Sequence, residues 1–118
     1  MPARLPQHTE RPGTDELVVR YRLASRALRG LDPDAVGPCQ TTDPEVFFPD
    51  DSSGLNVAPF KAERRAMDLC TGCTLVLACL VREMRETPTV FQIRGVRAGL
   101  RQSERRALYL ALQKDGLL

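Results

Sequence analysis

Four cysteines in a chain of 118 residues constrain the fold more than any other feature. They stand at Cys39, Cys70, Cys73 and Cys79, in the pattern C-x30-C-x2-C-x5-C. On a helix Cys70 and Cys73 would nearly share a face. Cys79 lies six residues beyond Cys73, a rotation of about 240° at roughly 3.6 residues per turn. One continuous helix therefore cannot aim all three thiols at one centre. Thr71-Gly72 supplies a break, since glycine suits the end of one helix and Thr74 can cap the next. Cys39 then arrives from a distant loop. Thiols from a loop and two helix ends can enclose a tetrahedral metal or an iron–sulfur cube.

The compartment narrows the chemistry. No apolar signal-peptide core follows Met1-Pro2-Ala3-Arg4, so a cytoplasmic, reducing setting is expected. There, four cysteines point to a metal or cluster, and disulfides to the fate of a lost centre. Structural zinc usually shows two paired motifs, and here there is one pair, a lone Cys79 and a distant Cys39. A [4Fe–4S] cluster tolerates irregular spacing, although this is not the ferredoxin run. Spacing alone leaves zinc and cluster open. The single histidine, His8, lies in the N-terminal arm and is expected to be inert.

Composition allows one small domain. Leu, Ile, Val and Phe make up about a quarter of the chain, above the roughly 20 % below which chains stay disordered. No apolar run approaches the roughly 20 residues of a membrane span. Three prolines and little apolar content mark residues 1–13 as a disordered arm, leaving 14–118 as a single domain. A first helix is expected over 15–29, capped by Thr14 and ended by Gly30, with Leu17, Tyr21, Ala24 and Leu28 as its apolar stripe. Five prolines between Asp32 and Pro59 exclude a long helix there. The adjacent Phe47-Phe48 in that loop need something to dock on. Further helices are expected over 60–69, 75–86 and 103–114. The third would place Leu77, Leu80, Val81 and Met84 on one face and Cys79 roughly opposite. The fourth would turn Leu108, Ala111 and Leu112 inward and Arg105, Arg106, Tyr109 and Gln113 outward. The only strand-like run is 89–94. The expected fold is all-α, a small bundle of about four short helices with a Pro-rich loop.

Charge is segregated. Residues 32–51 carry six acidic and no basic side chains, and residues 94–114 carry six basic against one acidic. The basic segment reads either as a solvated face or as a surface for an acidic partner.

Taken in order, these residues resemble the WhiB-like family of actinobacterial iron–sulfur transcriptional regulators. The resemblance runs over about 37–112. It rests on Cys39, on Asp43-Pro44-Glu45-Val46-Phe47-Phe48-Pro49, and on Cys70-x2-Cys73-x5-Cys79. It continues through Gly95-Val96-Arg97-Ala98-Gly99-Leu100 and ends on Glu104-Arg105-Arg106-Ala107-Leu108. It implies that Cys39, Cys70, Cys73 and Cys79 ligate a [4Fe–4S] cluster that responds to oxygen or nitric oxide and organises the helices. It also implies a non-enzymatic, monomeric subunit docked on region 4 of the primary sigma factor within RNA polymerase. Phe47, Phe48, Gly95, Val96, Arg97 and Gly99 are the implied sigma contacts. Arg101, Arg105, Arg106 and Lys114 would meet promoter DNA through its phosphates. Two positions depart from the pattern. Arg97 stands where the family's G-[V/I]-W-G-G turn has tryptophan, with Ala98 replacing a glycine. Arg101 stands where a threonine often caps the last helix, a role that would pass to Ser103. Two other functions fit the cysteines: thiol–disulfide reduction through Cys70-Thr71-Gly72-Cys73, and a zinc-stabilised adaptor without a sensing role.

Overall fold

The computed structural model describes residues 11–27 and 43–118. Its four α-helices are α1 (Thr14–Ala27), α2 (Lys61–Asp68), α3 (Val76–Glu86) and α4 (Gln102–Lys114), with 3-10 helices at Pro44–Phe47 and Val90–Gln92. Among the described residues the only extended pairing is an isolated antiparallel bridge between Arg97 and Leu100. The 89–94 run is thus a 3-10 turn and not a strand. Leu28, Gly30 and Cys39 lie outside the described residues, as do residues 1–10 of the expected arm. Residue 11 of that arm is docked: the Arg11 guanidinium binds Glu104, with its NH2 group 2.8 Å from Oε1, and also donates to the Gly99 carbonyl.

Helix α1 forms where its stripe demands. Leu17, Tyr21 and Ala24 are buried, Asp15 and Glu16 sit against the positive N-terminal end of the helix, and Thr14 is itself the first helical residue. The Gly13 carbonyl accepts the Leu17 N–H at 3.0 Å. Helix α1 packs against both α3 and α4. The main core joins Leu17, Tyr21 and Ala24 to Leu80, Val81 and Met84 of α3 and to Leu108, Tyr109 and Leu112 of α4. Ile93, Ala98 and Leu100 from the α3–α4 connection complete it. Each large apolar side chain buried this way contributes about 1.5–3 kcal/mol. Leu77, although on the same face of α3 as Leu80, Val81 and Met84, is not part of this core and is exposed.

A second, smaller core holds Phe47, Ala66, Met67 and Val96. It is where α2 packs against the 3-10 turn Pro44–Phe47. Asp43 nucleates that turn by accepting the Glu45 N–H at 3.1 Å. The Pro-rich loop is therefore anchored by Phe47, while Phe48 stays exposed.

Helix starts differ in detail from the sequence expectation. α4 begins at Gln102, one residue early, because Glu104 at its third position accepts the Arg101 N–H at 2.9 Å. That bond is half of a capping box. The Ser103 hydroxyl is buried and has no partner among the described residues, so it is not the cap. α3 likewise starts without Thr74: the residue before it is Leu75, which makes no side-chain cap.

Candidate functional site

Cys70, Cys73 and Cys79 sit along the junction of α2 and α3. The end of α2 tightens into turns, with Cys70 N–H on the Met67 carbonyl at 3.0 Å and Cys73 N–H on the Cys70 carbonyl at 3.1 Å. Gly72 between them takes φ +79°, a left-handed value that side chains other than glycine rarely adopt, so the expected break is where Thr71-Gly72 put it. The chain re-enters a helix, and the Cys79 N–H reaches the Leu75 carbonyl at 2.8 Å. Cys70, Cys73 and Cys79 are all partly buried. Cys70 packs against the smaller core and Cys79 against the main one.

The sulfurs of Cys73 and Cys79 receive hydrogen bonds. The Leu75 N–H donates to Cys73 Sγ, and the Arg97 Nε–H to Cys79 Sγ, each at 3.4 Å. Burial alone works against the Arg97 charge. The hydrogen bond to Cys79 and the charges of Cys79, Glu83 and Glu86 outweigh it and raise the guanidinium pKa above its ordinary value.

The connection over residues 95–100 lies on the same region. Gly95, Ala98 and Gly99 all have positive φ, and for Ala98 such a conformation costs on the order of 1–2 kcal/mol. At Gly95 a side chain is disfavoured on two grounds. Its φ is +66°, and a Cβ there would collide with the Phe47 carbonyl oxygen and lie 2.8 Å from the Phe48 ring. That close approach lets the Val96 N–H reach the Phe47 carbonyl at 2.7 Å. A Cβ on Gly99 would stand 3.6 Å from that of Cys70. Residues Phe47, Phe48, Gly95, Val96, Arg97 and Gly99 are thus brought together beside the thiols. Phe48 and Arg97 are exposed, while Phe47, Gly95 and Val96 are buried.

Two of the four expected DNA-binding cations are internal. Arg105 is fully buried and bidentate to Glu83, with Nε to Oε1 at 2.7 Å and NH2 to Oε2 at 3.0 Å. It also donates to the carbonyls of Arg94, Gly95 and Leu100. Arg101 is 1 % exposed and holds the 53–57 loop through Ser53 Oγ and the carbonyls of Gly54 and Val57, each at 2.8 Å. Glu63 supports that loop by accepting from the Ser53 N–H and hydroxyl. The outward reading of Arg105 and Tyr109 on α4 is corrected accordingly, since the Tyr109 hydroxyl also turns inward to the Thr87 carbonyl. Arg106 is half-buried on the Ile93 carbonyl, and Lys114 is exposed. Residues 94–114 are therefore not one basic face, because Arg105 is drawn inward by Glu83, a carboxylate 22 residues away in sequence.

The donor set suits a thiophilic centre. Cysteine sulfur is soft and selects zinc or iron–sulfur clusters, and N–H donors to such sulfurs tune the centre they hold. Among the described residues no three thiol, imidazole or carboxylate groups converge on a single-ion site. Cys39 lies outside those residues.

Fold and site define a small helical domain with three cysteines along the connection from α2 to the first turn of α3. Residues 34–108 match the family model described as Transcription factor WhiB, and the chain belongs to that family. The match spans all four cysteines, Phe47-Phe48 and the 95–100 connection. No curated protein and no solved structure is significantly similar to the chain. Among the described residues no helix is long and apolar enough to cross a membrane.

Proposed function

We infer that this WhiB-family transcription factor is a cytoplasmic, non-enzymatic regulator with a redox- or nitric-oxide-responsive [4Fe–4S] cluster. The observation that carries the inference is the α2–α3 junction, where partly buried thiols with N–H donors adjoin the 95–100 connection and Phe47-Phe48. Cys39, Cys70, Cys73 and Cys79 would hold the cluster. When bound, such a cluster supplies one-electron chemistry and a site for attack by oxygen or nitric oxide.

The chain's own residues define the rest. Cys39 belongs to the Pro-rich segment, and its attachment to the junction would tie that segment to the helices. Loss of the attachment leaves Phe47 and the Phe47–Val96 hydrogen bond as the local anchor of the loop. The response is then an order change in the segment before Phe47. Region 4 of the primary sigma factor would dock on Phe48 and Arg97, the exposed members of the group, which Phe47, Gly95, Val96 and Gly99 hold in shape. Arg97 offers a planar, charged surface with five donors, so the contact is polar where a tryptophan would make it apolar. Promoter phosphates would be met by exposed Arg94 and Lys114 and by Arg106, with salt-dependent affinity. Arg101 and Arg105 serve the fold.

Co-purification tests this reading. Anaerobically prepared protein should retain sigma region 4 as a one-to-one complex, and exposure to nitric oxide or air should release it. Binding unchanged by air or nitric oxide would instead favour a zinc-stabilised adaptor.

A further inference from the structure

A line of charges runs from the first turn of α4 to one cysteine. The Arg105 guanidinium grips both oxygens of Glu83 on α3. Glu83 Oε2 also lies 3.9 Å from the NH1 group of Arg97. Arg97 in turn donates its Nε–H to Cys79 Sγ at 3.4 Å. Meanwhile Arg105 binds the carbonyls of Arg94, Gly95 and Leu100, which bracket the connection carrying Arg97. Arg97 is therefore steadied from two sides, its stretch of backbone through Arg105 and, more weakly, its guanidinium by the nearby Glu83 carboxylate. Cys73 differs, because its donor is the Leu75 backbone N–H, which no side-chain change removes.

We propose that Arg97 is the positioning residue of the Cys79 sulfur, supplying it with a hydrogen-bond donor and a fixed positive charge held in place by Glu83 and Arg105. A fixed cation beside a sulfur favours negative charge on it. A centre ligated through Cys79 would then be easier to reduce, because the guanidinium charge and hydrogen bond stabilise the added negative charge. The contact belongs to the thiol as well as to a ligated centre. Only its effect on reduction rests on the cluster reading.

Two measurements test it. In reduced apoprotein, the 15N-resolved Nε–Hε signal of Arg97 should shift and exchange with solvent several-fold faster in Cys79→Ala. A signal unmoved by that substitution overturns the contact. In anaerobically reconstituted protein, Arg97→Ala should change the oxidised-to-reduced ratio at fixed potential about tenfold towards oxidised, about 59 mV for a one-electron couple. Arg97→Lys, which restores charge without the planar donors, should change it less. Equal midpoints for wild type and Arg97→Ala overturn the proposal. If no variant takes up iron and sulfide, the cluster reading fails and the apoprotein signal alone decides whether Arg97 positions Cys79.

Discussion

Replacing Arg105 by methionine should remove a large part of the stability of the domain. Methionine keeps the apolar stem and deletes the guanidinium, so the loss is of polar partners and not of packed volume. Glu83, 5 % exposed, is left without its bidentate partner, and stranding one member of a buried pair costs about 3–5 kcal/mol. The carbonyls of Arg94, Gly95 and Leu100 lose a donor as well, although water entering beside them would recover part of that. Arg97 is 3.9 Å from the same carboxylate and compensates weakly from its exposed position. The expected loss is therefore about 3–5 kcal/mol, against a total of about 5–15 kcal/mol for domains in general. Urea unfolding of the reduced apoprotein, followed by helical circular dichroism, should show a midpoint lower by about 2 M at a slope of about 1.5–2 kcal/mol/M. The double variant Glu83→Met, Arg105→Met removes both charges and should regain more than about 1 kcal/mol over the single one. A single-variant loss below about 1 kcal/mol, or no coupling between the two sites, would refute the internal role given to Arg105.

Three further outcomes follow from the same packing. Gly95→Ala adds a left-handed alanine, about 1–2 kcal/mol, to a clash with Phe47, and should lower the apoprotein Tm by more than about 4 °C. Leu108→Ala opens the main core at a fully buried position and should cost about 2–5 kcal/mol in the same urea assay. Burial would by itself raise the Glu104 pKa, but hydrogen bonds from Arg11 and the Arg101 backbone, with the Arg11 charge, hold it below the usual carboxylate value. Its folded pKa is thus depressed, so the stabilisation is present above the unfolded-chain pKa and is lost as pH falls through the folded one. Acid titration should show a shallower stability loss in Glu104→Gln, and an unchanged acid limb would contradict the assignment.

The helices were legible because their signals are local. Leu17, Tyr21 and Ala24 repeat at helical spacing and are buried together, and Gly72 breaks the chain between α2 and α3. The docking of Phe47 was legible from its adjacency to Phe48 in a polar loop. What escaped was decided by partners distant in sequence. Arg101 and Arg105 look like surface cations until Ser53 and Glu83 are brought to them by folding. The cap of α4 escaped because the Arg101 backbone, not a hydroxyl, meets Glu104. Leu77 looked like core because it shares a helical face with Leu80, Val81 and Met84, yet the elements packed on that face leave it exposed.

The centre itself is tested most directly by metal and sulfide content after anaerobic reconstitution, in wild type and in Cys39→Ser, Cys70→Ser, Cys73→Ser and Cys79→Ser. Wild type should bind about four iron and four sulfide per chain with broad visible absorption, and each substitution should abolish or destabilise it. Tight stoichiometric zinc without iron, or a full complement of iron and sulfide in the Cys39→Ser protein, would contradict a cluster held by these four cysteines.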